Sequence, residues 1–296
     1  MKITKTVKNS PSRIIFMIFN YIIISAVAIL CLLPILHVFM GSLSDPALLE
    51  SNSGIIVWPL GKASLLGYKY VLQYRKIWIG YRNTIFYVVA QCFITGLLTV
   101  IGGYVLSRKR FHYRNVVMAF ISFTMLFNGG MVPTYMVVKG LGLTDTYLAL
   151  LIPSAMSVFN IIIMRTAIAG IPDSLEESAC LDGAGEFTIM FKIILPLCKA
   201  TFAVLILFTA VGKWNEWFSA LLYLSDEKRY PLQMFLRSLL IKNESMSMAN
   251  QSTSMQMYKT LINYCAIMVA TIPILCAYPF AQKYFVHGVM IGSVKG

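Results

Sequence analysis

Apolar residues in this chain form long blocks that Asp, Glu, Lys and Arg interrupt only at wide intervals. The uncharged stretches that follow Arg13, Arg82, Arg114, Asp145 and Lys259 contain 31, 25, 24, 19 and 23 residues. A bilayer core of about 30 Å needs about 20 helical residues to cross it. Each of these blocks is therefore long enough, or nearly so, to span a membrane as a helix.

A sixth block, residues 200–224, is interrupted only by Lys213 and Glu216. Charged side chains at membrane depth are costly and usually face a cavity or a protein partner. The pattern therefore predicts an all-α integral membrane protein with six transmembrane helices in one domain, 14–282, between tails at 1–13 and 283–296. The predicted spans are 14–40, 83–107, 115–138, 146–167, 200–224 and 260–282.

The composition supports the membrane class, since 58% of residues are hydrophobic and 12% are charged. A soluble domain has about a quarter charged residues, so a disordered chain, a coiled coil and an ordinary cytosolic enzyme are excluded. The first apolar run is much longer than the core of a signal peptide, about 7–15 residues, and is expected to be an anchor. The six cysteines are scattered without a C-x-x-C pair and are interpreted as small buried hydrophobes.

Basic residues predict the orientation, because short flanks rich in Lys and Arg stay in the cytoplasm. The first 13 residues contain four basic residues, and the link 107–114 contains another four. With six spans, both termini and the segment 168–199 then lie in the cytoplasm, and the loops 41–82, 128–145 and 225–259 lie outside. The net charge of +13 fits anionic lipid and calls for no nucleic acid.

The segment 168–199, called the coupling segment below, combines helix signals with carboxylates. Ser174 and Glu177 match an S-x-x-E capping box after a proline, and Gly183 offers a helix stop. A second short helix is predicted from apolar residues at helical spacing, with its end at a proline; these residues are Phe187, Met190, Phe191, Ile194 and Pro196. Five of the twelve acidic residues lie between 173 and 186. Helices that lie on membranes favour Lys and Arg, so a protein-docking pair is preferred over a surface-bound amphipathic pair.

The coupling segment resembles a known sequence motif. Glu177-Ser178-Ala179, then Asp182-Gly183-Ala184, then the run 193–197 with Leu195-Pro196 are similar to the EAA loop of permease subunits of bacterial ATP-binding-cassette importers. Ser178 stands where that family often has Ala. Gly212 to Phe218 resembles the W-N-E segment of carbohydrate permeases, most closely the second permease of the maltose-type branch. Residues 127–135 and 278–296 are similar to permeases for polysaccharide-derived or acidic oligosaccharides.

This resemblance implies the type I importer permease fold and a role in taking oligosaccharides across the bacterial cytoplasmic membrane. It implies four kinds of protein or sugar partner: a second permease subunit, two cytoplasmic ATP-binding subunits, an extracytoplasmic solute-binding protein and an oligosaccharide. ATP and Mg²⁺ would bind the ATPase, and no cofactor or metal is expected in this chain. Its two Gly-Lys pairs precede Ala63 and Trp214 instead of the Ser or Thr of a P-loop, so the chain is expected not to be an enzyme.

Polar residues near the middle of the fifth span are candidates for a sugar pathway. Lys213, Trp214, Asn215, Glu216 and Trp217 combine charged and amide groups with aromatic faces, and Asn160 in the fourth span can contribute an amide. The alternative is a structural pair, Lys213 with Glu216, against the sister permease, with packing tryptophans.

The loop 225–259 is predicted to begin with a short helix. Arg237 and Lys242 in this loop would meet an acidic partner or an acidic sugar; the alternative is an interfacial helix followed by a flexible, solvated tail. Import of a non-sugar solute and ion-coupled secondary transport remain alternatives for the whole chain, but a secondary carrier would typically show internal repeats, and none is evident.

Overall fold

A computed structural model of the chain describes residues 11–127, 129–247 and 253–292. Regular structure in these residues is helical, which confirms the predicted all-α class. The α-helices are α1 (Pro11–Ser42), α2 (Pro46–Ser51), α3 (Leu66–Gln73), α4 (Arg75–Ser107), α5 (Arg114–Leu126), α6 (Met131–Gly140), α7 (Leu148–Leu151), α8 (Val158–Ala169), α9 (Asp173–Leu181), α10 (Glu186–Thr188), α11 (Leu195–Leu197), α12 (Lys199–Trp214), α13 (Phe218–Tyr223), α14 (Leu232–Ser247) and α15 (Thr253–Gly292). A π-helical stretch, Ile189–Ile194, joins α10 to α11, and a 3₁₀ turn lies at Glu227–Arg229.

The chain divides into two compact units. The first is Met1–Gln73 with Asn243–Val269, and the second is Tyr74–Lys242 with Ala270–Gly296. In the first unit, the C-terminal end of α1 and helix α3 approach α15 through glycines. A Cβ on Gly41 would stand 2.7 Å from a ring carbon of Tyr264, and one on Gly67 would stand 2.5 Å from the Cys265 sulfur. Only glycine fits such close approaches, so these positions fix the packing of the unit.

In the second unit, α4 packs against both α8 and α12. Its glycines again allow the contact, since a Cβ on Gly103 would lie 2.8 Å from Met164 of α8, and one on Gly96 would lie 2.8 Å from Ile206 of α12. A core at the C-terminal end of α4 joins Tyr104, Met164 and Ile168 to Ala179, Ile189 and Ile194 of the coupling segment. The coupling segment is therefore packed onto the membrane helices instead of hanging from them as a loop.

Among the described residues, three helical stretches are long and apolar enough to cross a membrane on their own: α1, α4 and Tyr258–Ala277 within α15. Three pairs of helices pass the same test only together, because each pair is bent at a short break. The bends are 113° between α5 and α6, 76° between α8 and α9, and 86° between Glu186–Leu197 and α12. The predicted number of six spans is reached if each bent pair counts as one.

The predicted single helices at 115–138, 146–167 and 200–224 are wrong, because each is broken in the structure. In the third span, α5 ends at Leu126, where Phe127 is extended with φ −114° and ψ 104°, and α6 begins after Gly130, whose φ is +89°. In the fourth, Pro153 lacks an N–H to continue the ladder, and Ser157 caps α8 by accepting the Asn160 N–H at 3.3 Å. In the fifth, α12 ends at Trp214, and α13 begins only at Phe218.

The predicted ends of the domain also shift. Helix α1 begins at Pro11, before the predicted start at 14, and α15 continues to Gly292, past the predicted end at 282. The remainder of the two predicted tails, 1–10 and 293–296, lies outside the described residues. The short helix predicted in the first half of the 225–259 loop is confirmed as α14.

Candidate functional site

The first helix of the coupling segment, α9, begins at Asp173 without a side-chain cap. Pro172 holds the chain extended directly before it, with φ −60° and ψ 133°. Asp173 and Glu176 place negative charge in the first turn, where the helix dipole favours it. Ser174 lies inside the helix instead of at its cap, so the predicted capping box between Ser174 and Glu177 is wrong.

Helix α9 ends in a glycine turn that satisfies its last carbonyls. The Ala184 N–H donates to the Ala179 carbonyl at 2.9 Å, and the Gly183 N–H donates to the Cys180 carbonyl at 3.0 Å. Gly183 has a φ of +79°. Left-handed Gly183 and these two bonds together form a Schellman motif. Glycine adopts the required φ at little cost. The prediction that Gly183 stops the helix is confirmed.

The second helix of the coupling segment differs from the prediction in its length and in its buried face. Helical structure runs through Pro196 and ends at Leu197, one residue past the predicted end, and the chain bends by 86° before α12 starts at Lys199. The π-helical stretch has wider turns than an α-helix and shifts the register of the side chains. Ile189, Met190 and Ile194 are buried, whereas Phe187 is 73% exposed.

The turn around Gly183 presents a mixed apolar and acidic surface, called the docking surface below. Leu181 is 89% exposed, and Glu177, Ser178, Asp182 and Gly183 are also exposed. Phe187 stands on the far side of the turn. Large apolar side chains exposed on both sides of one turn are typical of a surface that another protein covers.

The small alanines of the motif face inward. Ala179 is only 8% exposed and belongs to the core at the end of α4, and Ala184 and Leu195 pack against the same core. Ala179 therefore anchors the docking surface to its own chain. Pro196 is exposed on α11, away from that core.

Three of the five clustered carboxylates are paired with a basic segment, Arg108 to Arg110, that follows α4. Asp173 accepts from Lys109 at 2.6 Å, Glu176 pairs with Arg108, and Glu186 pairs with Arg110. The acidic cluster that favoured docking is therefore largely neutralised within the chain. Glu177 and Asp182 are the two members for which the described residues provide no ion pair.

Arg108 and Tyr104 reinforce this connection. The Arg108 guanidinium lies 4.0 Å from the centre of the Tyr104 ring, and the Tyr104 hydroxyl donates to Glu186 at 2.7 Å. The hydrogen bond from Tyr104, together with Arg110, holds the pKa of Glu186 below its ordinary value, and Lys109 lowers the pKa of Asp173 in the same way. Both carboxylates are therefore charged at neutral pH and keep the coupling segment tied to the end of α4.

A second candidate site is a cavity of about 480 Å³ in the same unit, called the polar cavity below. Its lining contains five of the six predicted pathway residues: Asn160, Lys213, Asn215, Glu216 and Trp217. Trp214 is the exception, because its indole N–H donates to the Ala270 carbonyl of α15 at 3.1 Å and its ring lies 6.3 Å from that of Tyr81. Trp214 therefore packs helices together, as the structural alternative holds, and does not line this cavity.

Lys213 is buried at the polar cavity, and its ammonium group has an acceptor for each of its three protons. These are the Leu150 carbonyl at 2.5 Å, the Ser154 hydroxyl at 3.1 Å and the Glu216 carboxylate at 2.6 Å. The predicted pair between Lys213 and Glu216 is thus present, although Glu216 lies beyond the end of α12. A buried charge that is paired and fully hydrogen-bonded avoids most of the cost of burial.

The same cavity wall holds the break between α7 and α8, where carbonyls lack helical donors. Gln91 donates to the Ser154 carbonyl at 2.7 Å, and Thr95 donates to the Ala155 carbonyl at 2.9 Å, while Lys213 covers Leu150. Irregular backbone at membrane depth requires such internal partners. Sequence reasoning missed Gln91 and Thr95. Their signal was the spacing of two polar residues, one helical turn apart, within a 25-residue uncharged block.

Asn160 of α8 and Trp217, which directly precedes α13, also line the cavity. The Asn160 amide donates to the Thr209 hydroxyl of α12 at 3.3 Å. Trp217 lies beside the guanidinium of Arg237 in α14, with 3.9 Å from the Arg237 Cζ to the ring centre. Next to it, the Gln233 amide of α14 donates to Asn215 at 3.4 Å. The cavity therefore combines amide, hydroxyl, carboxylate and aromatic groups, the set that binds hydroxyl-rich molecules.

Comparison with known proteins places this geometry in a family. A family model described as the binding-protein-dependent transport system inner membrane component matches residues 96–290. The chain is 39% identical to the polygalacturonan/rhamnogalacturonan transport system permease protein YtcP of Bacillus subtilis, over 91% of this chain and 94% of that protein. It is 38% identical to protein LplC of Bacillus subtilis, over 98% of each chain.

A solved structure shares the fold. It is the crystal structure of a bacterial ABC transporter involved in the import of the acidic polysaccharide alginate, one chain of which aligns with a TM-score of 0.83 and 32% identity over 93% of this chain and 98% of that chain. The resemblance read from the sequence is confirmed, together with the permease fold. The chain is a multi-pass membrane protein that belongs to the family of binding-protein-dependent transport system inner membrane components.

Proposed function

We propose that this chain is the transmembrane subunit of an ATP-driven importer that receives oligosaccharides from a solute-binding protein. The docking surface carries this proposal. Leu181 is 89% exposed and Phe187 is 73% exposed, although the coupling segment that carries them is packed onto α4 and α8. A firmly packed coupling segment with exposed apolar side chains suits a partner protein whose conformational change moves the membrane helices.

The partner at the docking surface is a cytoplasmic ATP-binding subunit, present in two copies, one for each permease of a heterodimer. ATP and Mg²⁺ bind to that subunit, and this chain changes conformation without catalysing a reaction. Both termini lie in the cytoplasm with the coupling segment. Glu177 and Asp182 supply the charge that the partner meets, because Asp173, Glu176 and Glu186 are occupied by the basic segment.

The substrate class is an oligosaccharide derived from a polysaccharide. Support comes from the polar cavity, with its amide and hydroxyl groups and the ring of Trp217, and from the substrates in the descriptions of similar proteins, polygalacturonan/rhamnogalacturonan and alginate. Aromatic rings and amide groups together recognise the apolar faces and hydroxyls of sugars.

The test is purification of the complex through a tag on this chain, followed by its ATPase rate with the binding protein and with neutral or uronic-acid oligosaccharides. We expect an ATPase to co-purify and a sugar to raise its rate. Gly183→Arg should lose the ATPase while its amount in the membrane stays normal, and Gly142→Arg is the matched control, because Gly142 is also left-handed (φ +68°) with open space around it but lies outside the coupling segment. Failure of any ATPase to co-purify with a well-expressed wild-type chain would refute the importer assignment. An ATPase that co-purifies but responds to no sugar would refute the sugar assignment alone.

A further inference from the structure

Arg237 occupies a defined position beside the polar cavity. It lies on α14, one helical turn after Gln233, which bonds to Asn215. The Arg237 guanidinium lies over the ring of Trp217 at 3.9 Å. Both Asn215 and Trp217 line the cavity. Arg237 is not itself among the lining residues, but α14 holds its permanent positive charge against one of them.

This arrangement leaves the hydrogen-bonding edge of Arg237 available. A cation over an aromatic ring interacts through its face, whereas the five N–H donors of a guanidinium point outward in its plane. Within the described part of the chain, the recorded contact of this guanidinium is the Trp217 ring, and no carboxylate pairs with it. A planar fork of donors held in one orientation is suited to bidentate binding of a carboxylate.

The other cation at the cavity, Lys213, cannot serve in this way. Its three protons are taken by Leu150, Ser154 and Glu216. Its charge is also neutralised by Glu216, so the pair adds no net charge to the cavity. An acidic sugar that enters the cavity would therefore find its positive partner at Arg237.

We propose that Arg237, stacked on Trp217, binds the carboxylate of a uronic-acid unit at the polar cavity. This inference rests on the proposed import function and deepens it by naming an acidic oligosaccharide as the substrate class. Trp217 has two roles in the site: it orients the guanidinium, and its cavity side contacts the sugar ring. Asn215 and Gln233 bond to each other beside it and can reach the ring hydroxyls.

The test measures direct binding to the purified importer complex, without its binding protein, of trigalacturonate and of the same trisaccharide as its methyl ester. The two probes share the same sugar units and linkages and differ at the carboxyl groups, which are anionic in the acid and neutral in the ester. The wild-type complex should bind the acid about tenfold or more tightly than the ester, the range of a charge-assisted bidentate contact. Arg237→Gln should remove that preference, and Arg237→Lys should restore part of it. Arg75→Gln, at an exposed arginine at the start of α4, is the matched control and should keep the wild-type ratio.

Each other outcome overturns the inference. An acid-to-ester ratio that Arg237→Gln leaves unchanged would place the acid-binding group elsewhere. Equal or absent binding of both probes by the wild-type complex would mean that the cavity does not distinguish an anionic sugar from a neutral one. An unchanged ratio combined with weaker activation by the binding protein would assign Arg237 to the contact with that protein. Sugar-stimulated ATPase of the wild-type complex is measured in parallel, so that a failure of the import function is recognised separately.

Discussion

Tyr104 donates its hydroxyl to the Glu186 carboxylate at 2.7 Å, and this bond joins the last turn of α4 to the second helix of the coupling segment. The two residues are 82 positions apart in the chain. Because α4 also packs along α8 and α12, a displacement of the coupling segment is transmitted directly to the helices that surround the polar cavity.

Acidification should loosen this connection. The pKa values of Glu186 and Asp173 are lowered in the folded protein by Tyr104 and by Lys109. A lowered folded pKa gives stability that is fully present above the ordinary carboxyl pKa, about 4, and that is lost as the pH falls through the folded value. The thermal midpoint of the purified chain should therefore fall below about pH 4, and Glu186→Gln should show a smaller fall. Identical pH profiles for the variant and the wild type would contradict this assignment.

Neighbouring glutamates should respond differently to neutralisation. Glu176 pairs with Arg108, and their side chains are only 15% and 14% exposed, whereas Glu177 is exposed next to them. Glu176→Gln should lower the free energy of unfolding by about 3 kcal/mol, because it leaves a largely buried guanidinium unpaired. Glu177→Gln should change it by less than about 0.5 kcal/mol and instead weaken activation of the ATPase. Denaturant unfolding and ATPase assays of both variants separate the two roles, and a reversed order would show that they are misassigned.

Two glycines in one turn offer a matched pair of substitutions. Gly183 has a φ of +79°, whereas Gly185 has a φ of −76°, and neither has an atom within 4 Å of the position of a Cβ. Gly183→Ala should destabilise the protein by about 1 kcal/mol through backbone strain alone. Gly185→Ala should be neutral or slightly stabilising, because it reduces the freedom of the unfolded chain. Equal thermal midpoints for the two variants would argue against the left-handed turn.

Removing the buried ammonium should be costly unless its carboxylate partner is removed as well. Lys213→Met leaves Glu216 unpaired and removes the donor to the Leu150 carbonyl. We expect a loss of about 3 kcal/mol, and the double variant Lys213→Met, Glu216→Gln should recover part of it. A double-mutant cycle on thermal stability measures this coupling, and strictly additive effects would show that the two side chains do not act as a pair.

The sequence predicted the regions of the fold and of the site more accurately than the contacts within them. Uncharged blocks located the apolar segments, because the cost of charge in lipid acts on every residue of a block. The breaks were missed because they depend on distant side chains. The chain can leave helical geometry after Leu151 only because Gln91, Thr95 and Lys213 supply donors to its carbonyls, and no local pattern encodes that.

In the candidate sites, too, features set by the local sequence were predictable, and features set by distant contacts were not. The role of Gly183 was predictable because a left-handed turn favours glycine, and this preference depends only on the local backbone. The buried position of Ala179 and the pairing of three carboxylates with Arg108 to Arg110 were not, since they depend on how α4 and α9 meet in space. Periodicity likewise failed for Phe187, because it assumes 3.6 residues per turn and the stretch that follows is wound more widely.

That wider winding at Ile189–Ile194 is equivalent to an α-helix with one residue inserted. Deleting a single residue there would restore ordinary winding and leave the hydrogen-bond ladder continuous. The wide turn absorbs the extra residue, so the side chains on either side of it would keep their orientation to one another, whereas a residue inserted into an ordinary α-helix turns one side by about 100° relative to the other. The stretch thus allows one additional residue between the docking surface and α12 without a change in the direction in which that surface faces.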